Sequence, residues 1–522
     1  MLGLAALGLS GCGGSSGAAP AAEAVASAPA SALTSTPMAA RGSQAAASDI
    51  HATGTERGIT PFIGFIDLTG AGMTDLAAIE FTITPKEGSV SRPVHVRYAM
   101  AALMREGHVL GLGLAGSWIR LPVFGLYAGA ANQVAVQLDF NDGSAKQLSL
   151  PVTTPPYADP NGIYDHLAIL KPRGPGTTLG FDFFVLKSNL GSPVILDSDG
   201  AVRWVGAGVS SAFSSALVGD GFVIGDQGAP ATYRLGLDGS LSTQDQLPTP
   251  PYTNFQHNID YGKQGLLAEL NLNDDGLPIL ESNIIELSSA GLILNNWDLA
   301  AILSTYMRAQ GDDPSNFVRP GNDWFHSNAA TYDPRDDSLI VSSRENFLIK
   351  LDYATGDILW ILGDPTKYWY TFPSLRAKAL TLAPGGLYPI GQHAVSITSD
   401  GLIMVFNDGA ASFGQPPGAP TGETRTYSAV SAYSIDAASG TAQEVWRFDY
   451  GQSIYSYICS SVYEASGKSL LIDYATADSD TRTRLVGLDG GHNVVFDFAY
   501  PTNGCDTSWN AVPIALDDFL IT

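Results

Sequence analysis

The sequence predicts an all-β protein: a six-bladed β-propeller preceded by a separate N-terminal antiparallel, β-sandwich-like domain. Gly and Pro are abundant, 57 and 31 of 522 residues, and only 15% of residues are charged, the balance of a chain with many turns. One hairpin recurs six times: an apolar strand, acidic or small residues, a Gly, then a strand usually carrying an aromatic. Its pivots are Gly200, Gly239, Gly291, Gly356, Gly440 and Gly490. They are unevenly spaced, which fits blades with inserted loops better than a solenoid, whose stacking penalises insertions. The chain carries 27 basic against 51 acidic residues, a net charge of −24, and no Lys/Arg run, so it lacks the electrostatic footprint of a nucleic-acid binder.

Residues 1–12 read as an apolar run ending in Leu9-Ser10-Gly11-Cys12, like a truncated lipoprotein-type signal without a basic start. If translation begins upstream, Cys12 is the lipidated residue and 13–57, rich in Ala, Ser, Gly and Pro, form a flexible tether. Outside that run no stretch of about 18 apolar residues occurs, so no transmembrane helix is expected. In 58–156, Ile79–Ile83, Val94–Tyr98 and Val134–Phe140 alternate as half-buried strands do. The propeller is expected over 157–522. Its last strand pair, around Val512 to Thr522, has no hairpin after it, and joins the first hairpin near Val194 to close the ring.

The most regular unit is Asn322–Asp364, NDWFHSNAATYDPRDDSLIVSSRENFLIKLDYATGDILWILGD. Four strands are expected in it: Ala329–Tyr332, Leu339–Ser342, Leu348–Asp352 and Ile358–Ile361. The innermost begins at His326. His257 and His393 occupy the same place in the flanking units, which brings three imidazoles to one end of the axial channel. Arg344 ends the second strand of the middle unit, where its neighbours have Asn271 and Asn407. Asn328, Asp408 and Tyr474 are weaker candidates for the same funnel.

Three imidazoles suggest either a three-His metal site or a metal-free anion site in which one neutral imidazole attacks while the others and the arginine stabilise charge. Arg344 favours the second, because a guanidinium stays charged and repels a dication. In the sequence no Cys or carboxylate groups with the three histidines to complete a metal shell. No metal and no cofactor are therefore expected. Aromatic residues in the insertion 365–389, Tyr368, Trp369 and Phe372, either stack on a ligand ring or plug the gap between blades. Cys459 stands in its unit where His393 stands in the preceding one, and Cys505 precedes the closing strand. The two sulfurs are expected on one rim as a disulfide, as suits an exported chain.

The segments DWFHSN, SSRENFLIKLDYATGDILWILGD and GQHAVSITSDGLIMVFNDG resemble the bacterial arylsulfate sulfotransferase family. LPVFGLYAGAANQV, from Leu121, is similar to its N-terminal β-domain. The resemblance implies an exported, nucleotide-independent transferase, periplasmic or in the cell envelope, that moves a sulfuryl group from a phenolic sulfate ester to a phenol. It implies a ping-pong route through a sulfurylated His393, with His257, His326 and Arg344 holding the sulfuryl oxygens. The neutral form of His326 is a candidate base for the acceptor phenol. The family's better-known members carry a close-spaced disulfide, which Cys459 and Cys505 are not. The alternatives are a non-catalytic ligand-binding propeller and a three-His metalloprotein.

Overall fold

The computed structural model describes residues 49–111 and 117–522. Cys12, the signal-like segment and most of the expected tether lie outside them. Among the described residues six sheets follow one another from residue 168 onward, five built on four strands in consecutive hairpin order and the first on three such strands completed by Asn510–Ile514. The unit at Asn322–Asp364 has the strands expected: Ser327–Asp333, Ser338–Ser343, Leu348–Asp352 and Ile358–Leu362. Its third turn, between Leu348–Asp352 and Ile358–Leu362, shows what a glycine pivot does. Asp352 Oδ1 accepts from the Ala354 and Thr355 amides, its carbonyl accepts from the Gly356 amide at 2.9 Å, and Gly356 sits at φ 74°, a left-handed value that costs other residues strain.

Apolar clusters fill the spaces between successive sheets. Ile340 and Leu348 pack with Val395 and Val405, and Phe406 packs with Ile472 and Val486. The series returns on itself: Phe184 and Leu196 of the first sheet share a cluster with Leu471 and Phe496 of the last, and the Phe184 and Phe496 rings stack at 5.9 Å. Closure is also covalent in order, since Asn510–Ile514 is the innermost strand of the first sheet, hydrogen-bonded to Phe183–Lys187. Of the expected closing pair only this strand joins the propeller. Phe519–Ile521 crosses to the N-terminal region and pairs in parallel with Val94–Ala99, because Phe519 and Ile521 find apolar partners there.

The N-terminal strands form two sheets. One orders His51–Arg57, Ile63–Thr69, Trp118–Phe124 and Val109–Leu110; the other places Val94–Ala99, Leu76–Ile83, Ala131–Phe140 and Ala145–Thr153 side by side behind Phe519–Ile521. The tether expected to reach residue 57 is therefore shorter. His51–Arg57 is a mostly exposed edge strand held by backbone pairing to Ile63–Thr69, with no apolar alternation in HATGTER to reveal it. These sheets share no ladder with the propeller sheets beyond the Phe519–Ile521 crossing, yet one continuous core links Phe81 and Phe124 to Trp204 and Phe222.

Candidate active site

Three innermost strands carry a register shift at their first residues, between Gln256 and Ile259, Ser327 and Ala329, and His393 and Ser396. The backbone is left-handed there, at His257 (φ 41°), His326 (φ 52°) and Ala394 (φ 51°). An extra residue at such a bulge bends the strand and re-aims its side chain. Cys459 (φ 62°) and Ser460 (φ 78°) repeat the conformation in the sixth sheet. The Arg344 amide donates to the His326 carbonyl at 3.0 Å, tying the arginine to the middle histidine.

His257, His326, Arg344, His393 and Cys459 all line one cavity of about 560 Å3. Ring centroids of His257 and His326 are 4.7 Å apart, and those of His326 and His393 6.5 Å. The expected disulfide, Cys459–Cys505, is present beside them.

His393 is buried, and its Nδ1 lies 3.0 Å from the Gly391 carbonyl and 3.1 Å from Asp408 Oδ2. A carbonyl can only accept, so the ring proton sits on Nδ1 and the lone pair on Nε2. Gly391 is required for this: its φ is 57°, and a Cβ there would meet the Ala410 carbonyl at 3.1 Å and Asp408 Cβ at 3.2 Å. Burial, then the Arg344 and His326 charges, hold the His393 pKa well below the ordinary imidazole value. Burial likewise raises Asp408 well above a normal carboxylate, which favours its neutral form.

The middle histidine differs. His326 Nδ1 lies 2.7 Å from Glu281 Oε2 and 2.6 Å from Asp323 Oδ2. Burial opposes its charge, but Glu281 and then Asp323 overcome it and raise the pKa to about 10, keeping the ring cationic. Against its own burial, His257 and then His326 and Asp323 draw Glu281 down to about 2. Burial drops His257 to about 4, Glu281 notwithstanding. The absence of carboxylates among the histidines is thus overturned. Glu281 arrives on Leu277–Leu287, from an irregular stretch of the third sheet where Glu281 itself has φ 45°, and nothing in its local sequence marks it. Asp323 stands three residues before His326 and was readable.

Arg344 is buried and nearly spent. Nη1 donates to Glu345 Oε1 at 2.7 Å and Nη2 to the Tyr457 carbonyl at 3.2 Å, while Nε has no hydrogen-bond partner. Its guanidinium carbon lies 3.7 Å from the centroid of Phe413, a ring 62% exposed at the cavity. Glu345 Oε2 accepts from the Gly414 amide at 2.6 Å, fixing the loop that carries this ring.

Other expectations fail. Asn328 is fully buried and donates to the Gln392 carbonyl at 2.8 Å, bridging the fourth and fifth sheets outside the cavity lining. Trp369 is fully buried, bonds the Asp364 carbonyl at 3.0 Å and packs edge-on against Phe347. Tyr368 and Phe372 pack with Phe317. These aromatics are the plug, because their apolar faces find partners between elements; Phe413 is the aromatic at the site. Tyr474 is buried against Phe406.

A family model described as arylsulfotransferase matches residues 166–509. The chain is 28% identical over 278 residues to the arylsulfate sulfotransferase AssT of Escherichia coli O6:H1, and 26% over 280 residues to that of Lelliottia amnigena. Each match spans 44% of this chain and 43% of the relative, so the chain matches less than half the length of these relatives. Among solved structures, a β-propeller domain of Cps50 (Swd1) from Myceliophteria thermophila has 13% identity and a TM-score of 0.33, covering 63% of this chain and 87% of that one.

Proposed function

The chain belongs to the arylsulfotransferase family, and on that premise we propose that it moves a sulfuryl group from a phenolic sulfate ester to a phenol through a sulfurylated His393. The observation that carries this reading is the hydrogen bond from His393 Nδ1 to the Gly391 carbonyl, which leaves Nε2 as a nucleophile held neutral by burial. Its lone pair attacks sulfur, the bond from sulfur to the phenolic oxygen breaks, and positive charge grows on the ring toward the Gly391 carbonyl and Asp408. A sulfate monoester carries a single negative charge, so one guanidinium and two imidazole donors suffice for its oxygens. The unpartnered Nε of Arg344 is such a donor, fixed before the charge moves.

His326 then supplies the proton cycle. Its pKa of about 10 equals that of an ordinary phenol, about 10, so transfer either way is nearly balanced. As an acid it gives its proton to the leaving phenolate; neutral, it takes one from the acceptor phenol, which attacks sulfur and frees His393. The base role expected of His326 thus belongs to the second half of the cycle. Phe413, stacked on Arg344, offers its exposed face to the aryl ring.

The Cys459–Cys505 disulfide supports an oxidising location, periplasmic or in the cell envelope, with Cys12 as a lipid attachment point. Intact-mass spectrometry after treatment with an aryl sulfate alone tests the mechanism. A single sulfuryl adduct mapping to His393 and lost on adding phenol is expected. Transfer without an adduct, or an adduct on His257 or His326, refutes it.

A further inference from the structure

We infer that His257, Glu281 and His326 form a binding site for a zinc-class divalent cation. The donor atoms of these three residues lie within 4.8 Å of one another. The decisive feature is an unfilled gap. His257 is 7% exposed, and its Nδ1 has no hydrogen-bond partner although it points at two carboxylates, Glu281 Oε2 at 3.9 Å and Glu269 Oε2 at 4.0 Å. These separations are too long for a hydrogen bond. They match what a cation between the atoms would impose, since zinc bonds of about 2.0–2.2 Å to nitrogen and oxygen separate two ligands by roughly 3.3 Å at a tetrahedral angle and up to about 4 Å when opposed.

His326 Nδ1 is the third donor; at 2.7 Å from Glu281 Oε2 it is hydrogen-bonded, and a bound cation would part the two by roughly 0.6 Å. One carboxylate oxygen thus faces both imidazole nitrogens. Two nitrogens and a carboxylate oxygen suit zinc and its neighbours rather than calcium or magnesium, which take oxygen ligands. Asp323, on His326 Nδ1 at 2.6 Å, supplies a second negative charge at the rim. With two carboxylates beside it, a dication there is locally neutralised, and Arg344 is itself paired to Glu345. Ligation through Nδ1 displaces to solvent the ring proton that His326 otherwise shares with Glu281 and Asp323, and so removes the imidazolium acid of the proposed function; occupancy therefore slows transfer.

The slowing rests on the proposed function; the binding does not. Cobalt(II) titrated into the metal-free full-length chain reports the site directly, through the visible absorption of a low-symmetry, four- or five-coordinate ion. One equivalent is expected to bind, zinc to displace it, Glu281→Gln to weaken it at least about tenfold, and His393→Asn to leave it unchanged while abolishing transfer. In the wild type, zinc should lower phenol transfer and a chelator restore it. Cobalt binding that is absent, or that survives Glu281→Gln at full strength, overturns the site. Binding with unaltered transfer overturns the inhibitory role alone. Should no transfer occur in any form, the cobalt titration still decides the site, and the functional reading fails separately.

Discussion

Replacing Arg344 by lysine tests whether the site depends on a planar fork or only on a positive charge. The guanidinium makes four contacts of different kinds: Nη1 to Glu345 at 2.7 Å, Nη2 to the Tyr457 carbonyl at 3.2 Å, its face on Phe413 at 3.7 Å, and Nε held 3.8 Å from Asp408 without a hydrogen bond. An ammonium is a point charge on a flexible stem, and in this buried position it retains the Glu345 contact at most. Leaving the Tyr457 carbonyl unpaired costs about 1–3 kcal/mol of stability. Losing the Nε donor removes one preorganised bond to the transferring group, a change worth about 2.7–4 kcal/mol, or 10²–10³ in rate. The assay is stopped-flow release of 4-nitrophenol from 4-nitrophenyl sulfate without acceptor. With His393 intact the burst amplitude should stay near one per chain while its rate falls about 100- to 1,000-fold. A burst rate within about threefold of wild type would show that charge alone suffices and that the Nε donor has no part in the reaction.

The acid limb of the same burst should fall well below the ordinary imidazole value of 6.5, since burial and Arg344 favour neutral His393. Protonation would consume the Nε2 lone pair, so a rate at pH 5 within about twofold of that at pH 7 is expected, and a limb near 6.5 contradicts the assignment. Trp369→Ala should cost about 3–5 kcal/mol in denaturant unfolding yet leave the KM for aryl sulfate unchanged, as befits a plug; a raised KM with unchanged stability would return Trp369 to the site. Reducing Cys459–Cys505 should lower stability by about 2–4 kcal/mol, read as a shifted melting temperature, and an unshifted transition would mean that the bond contributes nothing.

The propeller was legible because each hairpin states its own turn. Asp352 and Gly356 fix one pivot locally, and the strands either side alternate or run apolar, so the four strands of the middle unit fall within two residues of their expected ends. Pairings made at long range were not legible. His51–Arg57 and Phe519–Ile521 are edge strands whose place is set by a partner far along the chain, and edge strands need no strong apolar pattern of their own. The histidines and Arg344 were found because the repeat puts them at one register position. Asn328 was misread for a related reason: proximity to the motif does not say which way the bulge at Ser327–Ala329 turns a side chain.

Glu281 marks the deeper limit, and Asp408, a weak candidate for the funnel from its sequence, shares it in that its partner was not readable. Both are acidic residues in ordinary strand or turn contexts, and only the fold sets one against His326 and the other against His393. Yet they decide what each imidazole can do. The two rings are 6.5 Å apart, and a cationic His326, fixed by Glu281 and Asp323, repels a second charge on its neighbour. Under the proposed function, the carboxylates that make the middle histidine an acid therefore help to make the third a nucleophile. Asp408 opposes this less than an exposed carboxylate would, because burial favours its neutral form. Two identical side chains on equivalent strands are pushed in opposite directions, His326 up and His393 down, and under the proposed function this separation of pKa values assigns acid and nucleophile.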